Sequence, residues 1–428
     1  MKFSVITLGC KVNSFESISY IESFKNAGYT YVDEKEVADI YIINSCAVTN
    51  AAATKTRQRL NRAYRLNNQA LIVLVGCYAQ VESDKLLENH KIDLLVGSNQ
   101  KGLIVSLVEQ VLKGKDVVAV DKGERNFDYE NLEIGSFAGQ HRAFLKVQDG
   151  CDQFCSYCII PYARGRERSQ DLDKVIDNAR FLCSKGHKEI VLSGIHTGRY
   201  GSNIDSSLYE LMKSLLEKVD KLERLRVSSI EILEINDDII NLAKNNPKIA
   251  NHWHIPLQSG CDKTLKSMNR RYSTSEYKEA IEKIRNQLPN VAISADVIVG
   301  FPDESEEDFN QTYNFIKSLN LAFLHVFPYS PKSGTAAEVM KNQLDGNIKR
   351  DRVNKLLDLS KKMKTTYMES FINKPVSILV EGQSDGYSQG YASEYFEVRF
   401  KSKANYDNEF IEVLVESVEG EVAYGKKI

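Results

Sequence analysis

Residues 145–158 read LKVQDGCDQFCSYC, a strand-like run that turns directly into Cys151, Cys155 and Cys158 in C-x3-C-x2-C spacing. A compact loop there brings three soft thiolates together without threading the chain. Zinc takes four ligands, and the nearest histidines, His141 and His187, stand 10 and 29 residues from the cluster. Ferredoxin clusters use four cysteines. Three thiolates therefore leave one iron of a [4Fe–4S] cluster open to a non-protein ligand. The competing reading is three unligated cysteines brought within eight residues by chance.

Outward from this loop, strand and helix signals alternate six times between about 142 and 360. The strands fall near 144–147, 190–193, 225–228, 253–256, 293–299 and 323–327, with helices at 173–185, 208–219, 275–287 and 306–319. Six such units curl into an open barrel related to the eight-fold kind, with chemistry at the strands' C-terminal ends. Upstream, near-continuous apolar strands at 3–8, 40–43, 71–75 and 94–96 alternate with helices at 17–27, 54–65 and 84–88. That pattern predicts a parallel sheet covered on both faces. The polar stretch 121–140 reads as a linker. Downstream, a charged helix at 345–367 leads into 374–428, where alternating strands at 376–380, 395–400 and 410–415 suggest a small β-barrel. The expected fold class is α/β: a parallel α/β domain over 1–120, an open (βα)6 partial TIM barrel over 137–367 and a small β-barrel over 370–428.

Cys10, Cys46 and Cys77 each follow a strand, in VITLGC, YIINSC and IVLVGC. Strand ends in a parallel sheet share one edge, the edge where open α/β folds bind ligands. A second three-thiolate site is expected there, with Gly9 and Gly76 letting the backbone turn; the alternative is ordinary buried sheet cysteines. Cys183, on an apolar helix face, and Cys261, in a loop, are read as structural.

Of the 428 residues, 42% are hydrophobic and 27% charged, values of an ordinary globular chain. A net charge of −2 gives no global basic field, so nucleic acid would be met by local patches. Apolar runs are strand-sized, far short of the ~20 residues that span a bilayer. The first six residues lack a signal-peptide h-region. The eight cysteines are thus expected in a reducing cytosol, where metal or redox chemistry outranks disulfides.

Several words of the sequence carry a resemblance: TLGCKVN (7–13), NSCAVT (44–49), GCYAQ (76–80), LKVQDGCDQFCSYCIIPYARGRERS (145–169), SGIHTGRYG (193–201), SSIE (228–231), HIPLQSG (254–260), DVIVGFP (296–302) and FPYSP (327–331). In this order they resemble the radical S-adenosylmethionine methylthiotransferases, and KVN after Cys10 with IIPYARGR after Cys158 is similar to the branch acting on N6-threonylcarbamoyladenosine of tRNA. The departures are Ser14-Phe15 for a usual Gln-Tyr, Asp303 for a usual Gly, and Lys332-Ser333 where an Arg is often found. The resemblance implies a radical SAM core and a TRAM-like terminal barrel. It also implies methylthio insertion at carbon 2 of that nucleoside, position 37 of tRNA, with two S-adenosylmethionine molecules and two [4Fe–4S] clusters. Cys151, Cys155 and Cys158 would hold the radical-generating cluster, and Cys10, Cys46 and Cys77 the cluster carrying the inserted sulfur. Tyr157 matches the position beside the adenine, and Gly194 falls where the superfamily contacts the methionyl amine. Ser228, Glu231 and Gln258, at or just after strand ends, are further cofactor-binding candidates; each is otherwise a polar strand-end residue. Implied partners are the tRNA anticodon stem-loop, an electron donor such as flavodoxin or ferredoxin, and a sulfur source, with no membrane. Within the family the alternatives are isopentenyladenosine in tRNA or a ribosomal-protein aspartate as acceptor. Outside it stands a non-catalytic RNA-binding scaffold with a structural metal site.

RNA contact is expected from Lys55, Arg57, Arg59, Arg62 and Arg65, five positive charges in eleven residues without an acid. Arg164 and Arg166, with Arg168, alternate along one segment and could meet phosphate or a threonyl carboxylate; a solvated charged face is the alternative. From 374 onward six Lys/Arg face ten Asp/Glu, a net of −4 that suits no RNA clamp, although Tyr387, Tyr391, Tyr395 and Phe396 could stack bases.

Overall fold

In the computed structural model, residues 1–428 are described apart from Lys122, Glu124, Arg125 and Ala138. The N-terminal part is a six-stranded parallel sheet ordered Thr30–Tyr31, Lys2–Thr7, Ile40–Ser45, Leu71–Gly76, Leu94–Val96 and Val117–Ala119. Ile40–Ser45 and Leu71–Gly76 are buried along their whole length, because helices cover both faces. Phe3, Val5, Ile42 and Val73 pack toward Tyr20, Phe24 and Leu107 on one side. Ile6, Tyr41, Ile43 and Leu74 pack toward Ala53, Leu60 and Leu86 on the other. The last strand Val117–Ala119 and the helix Ile104–Leu112 add to the elements read from sequence.

Six parallel strands form the second part in two triplets. Arg142–Lys146, Glu189–Ser193 and Arg224–Val227 make one; His252–His254, Ala292–Val299 and Phe323–Pro328 make the other. The Leu225–Ile249 bridge joins them, and among the described residues Arg142–Lys146 and Phe323–Pro328 each pair with a strand on one side only. The expected open (βα)6 barrel is what the chain builds.

After the helix Gly346–Glu369, five strands close a barrel in the order Pro375–Ser384, Tyr387–Ala392, Glu397–Lys401, Val422–Lys427, Phe410–Glu419. It docks on the larger barrel: Arg224 donates to the Ser377 and Tyr391 carbonyls (2.9 and 3.4 Å), and Arg226 to that of Ser393 (3.0 Å). Of the four aromatics read as base-stackers, Phe396 is core, while Tyr391 and Tyr395 turn toward the larger barrel beneath Arg142.

The stretch 121–140, within which four residues lie outside the described set, is not a free tether. Tyr129 donates to the Lys146 carbonyl (2.8 Å), the Gly102 amide to Glu130 (2.7 Å) and Gln170 to Asn131 (2.9 Å). Leu132 and Phe137 are buried. Among the described residues, no helix is long and apolar enough to cross a membrane.

Candidate active site

Register places the first cysteine trio. Thr7 pairs with Asn44, and Ser45 with Gly76, so Cys10, Cys46 and Cys77 leave one sheet edge together. Gly9 and Gly76 have φ of 106° and 101°, a region glycine enters freely. A Cβ on Gly9 would sit 2.7 Å from that of Cys46, so close approach requires glycine there. Asn13 ties the edge by donating to the Leu8 and Ser45 carbonyls (2.7 and 3.0 Å). Cys46 and Cys77 are buried, and Cys10 is exposed to the cavity it lines.

The second trio sits in a braced loop. The Cys158 amide donates to the Cys155 carbonyl (2.9 Å), that of Cys151 to Gly165 (3.1 Å) and that of Ser156 to Met268 (3.0 Å). Donors reach the sulfurs themselves: the Gln153 amide to Cys151 Sγ (3.5 Å) and Arg270 to Cys155 Sγ (3.4 Å). Burial pushes the Cys46, Cys151 and Cys158 thiols up to about 12, so a thiolate there wants a positive partner, which iron supplies. Among the described residues no group of three His, Cys, Asp or Glu side chains could hold a single metal ion. No fourth thiol is at hand, since Cys183 is packed in the barrel core and Cys261 faces Asp308 (3.5 Å).

One cysteine of each trio lines a cavity, and the two cavities share part of their walls. A cavity of about 470 Å3 is lined by Cys10, Lys11, Gly194, Ser228 and strand residues of the barrel lumen. One of about 250 Å3 is lined by Tyr157, Cys158, Gln258 and the Val48-Thr49 step after Cys46. Asp296 and Phe327 line both. Four of the five cofactor-binding candidates thus face these cavities. Glu231 instead forms an ion pair with Arg270 and reaches Cys155 only through that guanidinium.

Between the trios lies a buried charge network absent from the sequence reading. Glu16 and Asp149 meet Lys101, Lys146, Arg164 and Arg168 at 2.6–3.3 Å. Arg164, expected on RNA, is fully buried: its Nε donates to Cys77 Sγ (3.1 Å) and its Nη atoms to Glu16, Asp149 and Asn13. The RNA assignment fails for it because the short helix Ile160–Arg164 turns the side chain inward. Arg166 is exposed, 3.4 Å from Asp152.

The helix Asn50–Leu66 carries the five-charge run. Lys55 and Arg65 are exposed, Arg59 and Arg62 face Glu34 (3.1 and 3.9 Å), and Arg57 donates to Tyr78 (3.0 Å). Asp303, standing where glycine is usual, has φ of 64° and accepts from Asn342 (3.0 Å), so its side chain buttresses the left-handed turn.

Residues 2–97 match the uncharacterized protein family UPF0004 and residues 145–316 the radical SAM superfamily. The chain is 39% identical to the threonylcarbamoyladenosine tRNA methylthiotransferase MtaB of Bacillus subtilis, over 96% of this chain and 92% of the relative. The Thermotoga maritima protein of the same name is 37% identical over 97% and 94%. The chain belongs to the radical S-adenosylmethionine methylthiotransferases. A member named for another nucleoside, the tRNA-2-methylthio-N(6)-dimethylallyladenosine synthase of Thermotoga petrophila, is 31% identical over all of this chain and 97% of its own. In fold the chain is similar to the radical S-adenosylmethionine methyltransferase TsrM of Kitasatospora setae, with a TM-score of 0.59 at 12% identity over 79% of this chain and 75% of that one. All six proposed cluster cysteines lie inside the two matched segments.

Proposed function

We propose that this chain inserts a methylthio group at carbon 2 of N6-threonylcarbamoyladenosine at position 37 of tRNA, using two [4Fe–4S] clusters and two S-adenosylmethionine molecules. The observation that supports this reading is that two separate cysteine trios each present one cysteine, Cys10 and Cys158, to one of two cavities that share Asp296 and Phe327 in their walls. Cys151, Cys155 and Cys158 would hold one cluster and Cys10, Cys46 and Cys77 the other. When bound, these groups supply a carbon radical by reductive cleavage of a sulfonium, and the sulfur to be transferred.

The chain's own residues position and shield. Arg270 and the Gln153 amide direct donors at cluster thiolates, which fixes their orientation. Tyr157 packs edge-on to Phe301, with ring centroids 6.4 Å apart, and with Ile298 and Tyr329 gives the smaller cavity an apolar wall. Gln258 holds φ of 66° so that its amide reaches the Asp296 carbonyl (2.8 Å), a strained backbone of the kind found at functional sites. Lys55, Arg65 and Arg166 remain exposed for the anticodon stem-loop backbone. The chain would work in the cytosol, with a flavodoxin or ferredoxin as electron donor and a separate sulfur source.

Anaerobically reconstituted protein should hold about eight irons, and Cys10→Ala or Cys151→Ala about four. One zinc, or an unchanged count in the variants, refutes the two-cluster reading. Nucleoside mass spectrometry of tRNA from a deletion strain should show loss of the methylthio group from the threonylcarbamoyl nucleoside; loss from another nucleoside reassigns the acceptor.

A further inference from the structure

The larger cavity carries a charge pattern that neither cysteine trio uses. Period-two alternation turns Arg226 and Ser228, His252 and His254, and His325 and Phe327 into the lumen. Lys11, first residue of the helix Lys11–Asn26, joins them from the sheet edge beside Cys10. Among the described residues its ammonium has no hydrogen bond or ion pair. Arg226 is 2% exposed. Its Nε is held by Glu189 (2.7 Å) and its Nη1 by the Ser393 carbonyl (3.0 Å), while its Nη2 is buried without a partner.

Two basic side chains therefore face this space against one carboxylate, Asp296, which already has His254 Nε2 at 3.2 Å. A buried guanidinium donor left unpaired is unfavourable, and it is met here by an unpaired ammonium on the same wall. Beneath them the His252 ring is stacked on Tyr395 (4.6 Å, 14°) and Phe323 (5.7 Å, 9°). The pattern is that of a site for a carboxylate attached to a larger planar group.

We infer that Lys11 and Arg226 bind the threonyl carboxylate of the acceptor nucleoside. This rests on the acceptor proposed above. A second carboxylate, that of the methionyl group of S-adenosylmethionine, shares the chemistry. Lys11 stands beside Cys10, on the trio assigned to sulfur delivery, which is where the acceptor has to come.

The test uses reconstituted enzyme and two anticodon stem-loop RNAs, one with N6-threonylcarbamoyladenosine and one with its methyl ester. Affinity is read by fluorescence anisotropy, and S-adenosylmethionine affinity by equilibrium dialysis without RNA. Wild type should bind the acid about tenfold to a hundredfold tighter than the ester, the range for a charge-assisted contact. Lys11→Met should bind both loops at the ester's affinity and keep its affinity for S-adenosylmethionine, and Arg226→Lys should retain part of the discrimination. Equal wild-type affinity for acid and ester, or full discrimination in Lys11→Met, overturns the site while conversion of the acid loop leaves the acceptor assignment standing. A matching loss of S-adenosylmethionine affinity in Lys11→Met assigns the site to that cofactor and likewise overturns the inference. Failure of wild type to bind or convert the acid loop overturns site and acceptor together.

Discussion

Replacing Arg164 with Met is expected to destabilise the chain by about 3–5 kcal/mol, the cost of removing one partner from a buried ion pair. Arg164 is fully buried and its guanidinium serves Glu16, Asp149, Asn13 and Cys77 at once. Methionine has a comparable apolar stem but removes a cation shared by Glu16 and Asp149, leaving Lys101, Lys146 and Arg168 to balance them in a dry interior where a carboxylate short of partners is costly. Against a typical total of ~5–15 kcal/mol, that loss is large, and it should appear as a lower urea midpoint with unchanged slope. Burial alone would raise the Glu16 carboxyl, but Arg164, Lys101 and Lys146 outweigh it and hold the group below the usual carboxylate range. A depressed folded-state value contributes stability that is present above the ordinary carboxylate range and lost as pH falls toward the folded value. Wild type should therefore lose this contribution as pH falls below the ordinary carboxylate range, and Arg164→Met, which starts with less of it, should unfold at higher pH on descent from neutrality. In a double-mutant cycle, Glu16→Gln with Arg164→Met should destabilise by less than the sum of the single changes. Additive effects, or a wild-type urea midpoint in Arg164→Met, would show that the network is not coupled as described.

That network marks the boundary of what the sequence discloses. C-x3-C-x2-C is local, and three cysteines after three apolar strands become one edge by the parallel-sheet rule alone, so the placement of each trio was legible. Glu16, Asp149 and Arg164 are separated by up to 148 residues, and no periodicity links them. The alternation of Arg164, Arg166 and Arg168 suggested one extended basic face. Instead, Arg164 ends a helical turn and Arg168 begins a strand pair with Asp149, so two of the three arginines are interior. Tyr395 misled in the same way: an aromatic near a β-turn reads as surface or core, whereas docking of the terminal barrel carries it into the wall of the larger cavity. The i, i+2 histidines in HWH were a usable signal for the lumen, since alternate strand residues share a face.

Gly150→Ala should abolish cluster binding at the Cys151 loop while leaving the sheet-edge trio intact. Gly150 has φ of 72°, and an added Cβ would lie 1.8 Å from the Arg166 carbonyl oxygen and 2.5 Å from its carbon. These are backbone atoms of the strand Arg168–Ser169's approach, hydrogen-bonded back to the loop through the Cys151 amide and Gly165 carbonyl (3.1 Å). No rotamer change relieves the overlap, so the two segments must part, taking Cys151 and the Arg164 turn with them. The left-handed conformation costs alanine about 1–2 kcal/mol, and overpacking adds typically ~1–3 kcal/mol. Gly28→Ala separates the two terms, because Gly28 has φ of 87° with nothing within 4 Å of the added Cβ. It should lose only the torsional part and keep about eight irons. Gly150→Ala should fall to about four irons, with the remaining cluster lost on further substitution of Cys46. Retention of wild-type iron and urea midpoint by Gly150→Ala would mean that the loop accommodates the methyl group, and that the close packing of residues 150 and 166 does not hold the Cys151 thiolate in place.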